Sequence, residues 1–261
     1  MTVHFIGAGP GAPDLITLRG WRLLQHCQTC LYAGSLVDPA VTTSCPPHAH
    51  IIDSSAMTLK DIMATIQNAH QQGHDIARLH SGDPSLYGAL NEQARFLQKH
   101  HIPYTITPGV PSFAAAAASL GQCFTMPRTT QTIVLTRSAL GKATPMPQEE
   151  SLAHYAKTRC CLVIYLSIRH LNALCAMLIP HYGNTCPSAV VYRVSYKDEK
   201  IITAPLERLP RMVKPHKITR QALIIVSPSL IIDHDKEHTI HESALYAPTY
   251  RHLFRPTTKT G

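Results

Sequence analysis

The chain predicts an α/β protein of two domains, each built on a sheet of roughly five strands, and three observations carry that reading. Strand-like runs alternate with helix-like ones throughout, the pattern of largely parallel sheets. Ten strand-like runs divide evenly around the segment GQCFTMPRTTQ, and two sheets of five fit that division better than one of ten. Three of the early runs end in unusual loops rich in glycine and proline, and open α/β sheets bind ligands beyond the carboxyl ends of their strands. The expected domains are 1–120 and 121–232, followed by a polar tail over 233–261 that regains apolar residues in ALYAPTYRHLF.

The elements follow in order. VHFI, beginning at Val3, breaks into glycines at positions 7, 9 and 11. Pro10 and Pro13 each fix one φ and bias the preceding residue toward extended geometry, so the first helix is expected only near Thr17. TCLY and HII are the next strands, and Leu59 to Gln72 reads as a helix with Ile62, Met63 and Ile66 at helical spacing. IARLH then leads into the loop HSGDPSLYG, from His80 to Gly88. YTIT leads into TPGVPSFAAAAAS, where Pro108 and Gly109 turn the chain and Ser112 is expected to cap a helix rich in alanine. TIVLT, CLVIYL, SAVVYR, KIITA and ALIIV supply the second set of strands.

Composition limits the function classes. Hydrophobic residues make up 44%, no apolar run reaches membrane-spanning length, and HFI passes directly into glycines without a signal peptide, so a soluble cytoplasmic protein is expected. The eight cysteines are scattered in a chain large enough to fold without staples and read as reduced. Cys27 and Cys30 form a lone C-x-x-C and read as half-buried small residues rather than a metal or redox site. The histidine pairs His70/His74 and His238/His241 lack a carboxylate-rich partner motif and read as surface residues, so no metal is expected. A formal net charge of +8 favours polyanionic ligands. The basic run Arg208, Arg211, Lys214, Lys217 and Arg220 is interrupted by Pro210 and Pro215 and has no interleaved aromatics, which favours a solvated face over a nucleic-acid site. An acidic small molecule stays open.

The first loop satisfies G-x-G-x-x-G/A through Gly7, Gly9 and Ala12. Two prolines separate it from its helix, however, and the stretch TCLYAGSLV carries no acidic residue to bind ribose hydroxyls, so a dinucleotide-binding oxidoreductase is disfavoured. In the second loop Asp83 is either a ligand-facing residue or a helix cap. In the third, the small side chains serve either close approach to a ligand or core packing.

Taken in order, GAGPGAPDLITLRG, YAGSLV, SGDPSLYGA, PGVPSFAAAAA, QTIVLTR, LSIR and VVYRVSYKDEKI resemble the tetrapyrrole methylase family over nearly the whole chain. SGDPSLYG, PGVP, the PMP at Pro145 to Pro147 and the terminal SALY are most similar to its precorrin-4 C11-methyltransferase branch, which acts in cobalamin biosynthesis. The resemblance implies two α/β domains with the active-site cleft between them, a homodimer, S-adenosylmethionine as methyl donor and precorrin-4 as substrate. Methylation of cobalt-precorrin-4, or at another tetrapyrrole position, is the alternative within the family.

Carried over residue by residue, the resemblance puts Pro10, Gly82, Asp83, Leu86, Tyr87, Ser112, Leu166, Val194 and Ala222 at the cofactor. The glycine loop, with Gly9 and Gly11, shapes the tetrapyrrole pocket, and Tyr87 and Tyr192 are further pocket candidates. Arg137 and Arg193, at strand ends, are either clamps for substrate carboxylates or ordinary ion-pair partners. Many relatives carry Asp where this chain has Ala12, and an acidic residue where it has Ala33 and Gly34, so no catalytic base is assigned.

Overall fold

The computed structural model describes residues 1–140, 145–232, 243–247 and 249–255; His238, His241 and much of the expected tail lie outside the described residues. The chain forms two compact units, Met1–Leu120 with Val191–Lys200, and Gly121–Val190 with the chain from Ile201 onward.

In the first unit, β1 (Val3–Gly7), β2 (Thr29–Tyr32), β3 (His50–Asp53), β4 (Ile76–His80) and β5 (Tyr104–Thr107) form one sheet in the order β3-β2-β4-β1-β5. All its pairings are parallel. Strand alternation sends Val3, Phe5, Leu31 and Ile76 to one face, against α2 (Leu59–Gln71) and α3 (Leu90–Lys99). Ile6, Cys30, Ala77 and Leu79 point to the other, against Leu24 of α1 (Leu18–Leu24). A parallel sheet with both faces covered reads as short apolar runs, which is how these strands appear in the sequence. Register pairs Gly7 with His80 and Ile6 with Thr107, so β4, β1 and β5 finish side by side.

Local signals set the helix starts. Pro13–Leu15 forms a 3-10 turn, after which the Thr17 side chain accepts the Gly20 N–H and opens α1, as the prolines predict. Thr58 and Asp61 form a reciprocal capping box at α2. At α4 (Ser112–Ser119) the expectation fails: Pro111 is the cap residue and Ser112 is already helical. Pro111 sits at φ −74° and ψ 150°, the extended geometry a cap position needs, so no serine side chain is required there.

The second unit holds β6 (Ile133–Arg137), β7 (Cys161–Tyr165), β8 (Pro187–Tyr192), β9 (Lys200–Pro205) and β10 (Ala222–Val226) in the order β6-β7-β10-β8-β9. Here the largely parallel expectation does not hold throughout, because β7 pairs parallel with β6 but antiparallel with β10. Strands buried on both faces, as CLVIY and ALIIV are, read alike in either direction, so local sequence does not report it. Leu162, Ile164, Ile224 and Val226 pack with α5 (Leu152–Ala156), α6 (Leu171–Tyr182) and α7 (Leu209–Val213). The basic run from Arg208 is broken into α7 and a 3-10 turn over Lys214–His216, and its cations are exposed.

All eight thiols are free, and Cys27 and Cys30 are fully buried in the apolar core. Among the described residues no helix is long and apolar enough to cross a membrane.

Ile66, fully buried on α2, tests the packing of this unit. Ile66→Ala should destabilise by about 2–5 kcal/mol in urea unfolding, and a loss well below that range would show that the α2 face is not close-packed.

Candidate active site

The aligned carboxyl ends of β4, β1 and β5 place three loops together. Ala8 N–H donates to the His80 carbonyl at 2.8 Å. Gly82 N–H donates to Gly9 O at 2.7 Å and Gly9 N–H returns to Gly82 O at 3.3 Å, joining the first loop to the second. The third loop is tied to the second by Gly109 N–H, which donates to Asp83 Oδ2 at 2.8 Å. Asp83 Oδ1 accepts from Ser85 N–H at 2.8 Å and from the Ser85 hydroxyl. Asp83 is therefore no cap for α3, which starts behind Ala89 instead.

Glycine is required where these backbones meet. A Cβ on Gly7 would lie 2.5 Å from Gly109 Cα and 2.7 Å from Gly82 O, and one on Gly109 would run into Gly82 O. Gly9 and Gly82 serve differently, at φ +82° and +63°, which L side chains rarely adopt.

Burial works to raise the Asp83 carboxyl, but the donors from Ser85 and Gly109 outweigh it and hold it below its ordinary 3.8. The loop is also supported from beneath. The buried Arg78 donates through Nε to Gln93 Oε1 at 3.1 Å and through a terminal nitrogen to Ser54 Oγ at 2.9 Å. Gln93 in turn donates to the carbonyls of Ala89 and Gly88, at 3.1 and 3.3 Å. Burial, reinforced by the Arg78 charge, pushes His80 down to about 3, so its ring is neutral near pH 7 and its buried Nε2 makes no hydrogen bond.

The first unit brings most of the expected site residues together. Gly9, Pro10, Gly11 and Gly82 are buried in the loops, while Leu86 and Ser112 are half-buried. Tyr87 is 46% exposed at φ +56°. Val194 is buried and Tyr192 half-buried on the segment that returns to this unit. Arg193 is engaged within the chain, 2.7 Å from Asp198 Oδ1 and 4.1 Å above the Tyr196 ring.

The second unit holds the other three at one end of its sheet. Leu166, just past β7, is 72% exposed at φ +53°. The antiparallel register pairs Ile224 with Ile164, so β10 begins, at Ala222, at the end of the sheet where β7 runs into Leu166. Arg137 pairs with Tyr165 in the parallel register, and its guanidinium reaches the carbonyls of Ser138 and Pro145 at 3.3 and 3.4 Å.

Sequence reasoning missed Arg78, His80, Gln93, Asp53 and Tyr196. A signal existed for the first two, since IARLH places a cation and an imidazole at alternate positions of an otherwise apolar run. Asp53 sets a carboxylate beside the YAGSLV stretch, where it fills the space next to Gly34 and accepts the N–H groups of Gly34 and Ser55 at 2.9 and 2.8 Å. Among the described residues, no group of three His, Cys, Asp or Glu side chains is arranged to hold a metal ion.

A parallel α/β sheet whose glycine loops close on one another, rather than opening onto a helix amino terminus, is not built for a pyrophosphate. The chain belongs to the tetrapyrrole (corrin/porphyrin) methylases, whose family model matches residues 2–210, and it is therefore a methyltransferase. It is 48% identical over 255 residues to a precorrin-4 C(11)-methyltransferase of a Sinorhizobium species, covering 98% of each chain. It is 36% identical to a cobalt-precorrin-4 C(11)-methyltransferase of Priestia megaterium, over 100% of both. Among solved structures, a cobalt precorrin-4 methyltransferase of cobalamin biosynthesis superposes with a TM-score of 0.84 at 35% identity, covering 88% of this chain and 96% of that one.

Two outcomes test the loop closure. Gly109→Ala forces a Cβ onto the Gly82 and Gly7 backbones and should lower the thermal midpoint by several degrees, about the effect of a 1–3 kcal/mol overpacking strain. Because the folded carboxyl of Asp83 is depressed, its contribution to stability is complete above the unfolded value, about 4, and is lost as pH falls through the folded value. Thermal unfolding of Asp83→Asn should therefore differ from wild type near neutral pH and converge on it in acid; a gap independent of pH would contradict the ionised role.

Proposed function

We propose that this chain transfers a methyl group from S-adenosylmethionine to C11 of precorrin-4, giving precorrin-5 in cobalamin biosynthesis. One observation carries the reading: three glycine loops converge at the ends of β4, β1 and β5 in a chain that matches a precorrin-4 C(11)-methyltransferase over 98% of its length. The family resemblance further supports a cytoplasmic homodimer.

The residues present fit the methyl donor. Tyr87 and Leu166 are large apolar side chains, exposed and held at positive φ, and strained display of that kind is characteristic of ligand contacts. In this reading Pro10, Gly82, Asp83, Leu86, Tyr87, Ser112, Leu166, Val194 and Ala222 hold the donor. Gly9, Gly11, Tyr87, Arg137, Tyr192 and Arg193 border the tetrapyrrole. S-adenosylmethionine, when bound, supplies an electrophilic methyl group on sulfur.

What remains for the protein is chiefly positioning. Methyl transfer from sulfur to carbon is an in-line displacement, so fixed geometry and exclusion of water account for most of the acceleration. Pyrrole-type nitrogens of the macrocycle push electron density onto its ring carbons, and the chain needs only to orient that carbon and let a proton leave late. Asp83 is committed to Ser85 and Gly109, which makes it a positioning group rather than the base. The +8 surface and the arginines suit a substrate that carries several carboxylates. Cobalt-precorrin-4 is the second reading, favoured by the likeness to the Priestia megaterium enzyme.

Calorimetric titration with S-adenosylhomocysteine tests the donor site. Wild type should bind saturably, Asp83→Ala about tenfold more weakly, and Ser112→Trp more weakly still. Turnover should then yield a product heavier by one methyl group, with precorrin-4 and cobalt-precorrin-4 as competing substrates. Absence of S-adenosylhomocysteine binding, with stabilisation by NAD(P) instead, would sink the proposal.

A further inference from the structure

We propose that Tyr196 is a positioning residue that holds the first glycine loop, through Gly11, in the shape that receives the tetrapyrrole; the inference rests on the substrate role given above to Gly9 and Gly11. Tyr196 lies on Val191–Lys200, the segment that returns to the first unit from late in the chain. Its ring takes the place of a side chain at position 11: a Cβ there would lie 2.5 Å from Tyr196 Cε2 and closer still to Cδ2. Its hydroxyl donates to Leu36 O at 2.8 Å, so one side chain touches both the loop after β1 and the loop after β2.

Arg193 packs on the ring, and the segment that carries the ring is fastened at two further points. Arg193 sits 4.1 Å above the ring and is anchored to Asp198 at 2.7 Å. Ser195 Oγ accepts the N–H of Ala12, the residue after Gly11, at 2.9 Å. Glu199 Oε2 accepts the Ser195 N–H at 2.5 Å and the Ser119 hydroxyl at 3.1 Å, fastening the segment to the end of α4. Arg193 and Ser195 pay backbone strain at φ +47° and +64° to present the ring. Burial raises the Tyr196 phenol, against the Arg193 charge that lowers it, so the hydroxyl stays a donor near pH 7.

These contacts reach the loops after β1 and β2, whereas the Asp83–Gly109 link joins the loops after β4 and β5. Of the residues assigned to the methyl donor, only Pro10 lies on the loop after β1 and only Val194 on the Tyr196 segment, so loss of Tyr196 should weaken the tetrapyrrole far more than the methyl donor. Tyr196→Leu is expected to raise KM for precorrin-4 by about tenfold or more, with kcat within about threefold of wild type and a loss of S-adenosylhomocysteine affinity several-fold smaller than the rise in KM. Tyr196→Phe restores the ring and loses only the bond to Leu36, so its KM should rise only about three- to fivefold. Amide hydrogen exchange across residues 8–12 should quicken by about tenfold in Tyr196→Leu.

An unchanged KM, or equal losses of both ligands alongside lower thermal stability, would reduce Tyr196 to a structural residue and overturn the proposal. Should Tyr196→Leu fail to fold, Tyr196→Phe decides, and an unchanged KM in that variant also overturns it. If wild type methylates neither tetrapyrrole, the assigned function fails separately; the hold on the loop is then read from exchange, and unchanged rates would overturn it.

Discussion

The backbone contact among Gly7, Gly82 and Gly109 is the constraint on which the rest of the first unit depends. Three loops from adjacent parallel strands approach so closely that no Cβ fits on Gly7 or Gly109. Parallel pairing brings the strand ends level, the missing side chains let the loops touch, and the Gly9–Gly82 bridge and the Asp83 carboxylate fix the contact. The same glycines at a dinucleotide site would face a pyrophosphate. Here they face one another, which turns a flexible loop sequence into a rigid floor.

Carboxylates serve structure throughout this floor. Asp83 accepts from Ser85 and Gly109, Asp53 from Gly34 and Ser55, and Glu199 from Ser195 and Ser119. Each acid orders a loop by satisfying N–H groups that have no partner in a strand or helix. This distribution suits chemistry limited by orientation more than by proton transfer, since a carboxylate committed to backbone donors is a poor base and a good anchor.

Much of this was legible in the sequence, and the limits have physical causes. Every strand falls on the apolar run that marks it, and α1 starts at the residue the two prolines predict. Direction was not legible: CLVIY and ALIIV carry no mark of antiparallel pairing, yet that pairing brings the start of β10, at Ala222, to the end of β7 that precedes Leu166. Ser112 reads as a cap because serine is among the preferred N-cap residues, whereas Pro111 takes that position with no side-chain hydrogen bond to announce it. Tyr196 and Gly11 are far apart in sequence, and nothing in either neighbourhood announces that one fills the space the other leaves. Arg137 and Arg193 remained ambiguous for a related reason, because an arginine at a strand end looks the same whether it reaches a ligand or a neighbouring Asp198.

Arg78 shows why a costly group can be worth keeping. It is a buried cation on β4 whose hydrogen bonds go to the neutral acceptors of Gln93 and Ser54, and burial alone pulls its guanidinium down to about 10, still charged near pH 7. An apolar residue there would avoid the desolvation cost. It would also leave Gln93 Oε1 without its donor. Because Arg78 can only donate, it draws Gln93 Oε1 toward itself and turns the amide nitrogen to the carbonyls of Gly88 and Ala89. Ala89 lies at φ +48°, immediately before α3, so the loop carrying Gly82, Asp83 and Tyr87 is pinned at its far end by a charge buried in the strand from which it begins.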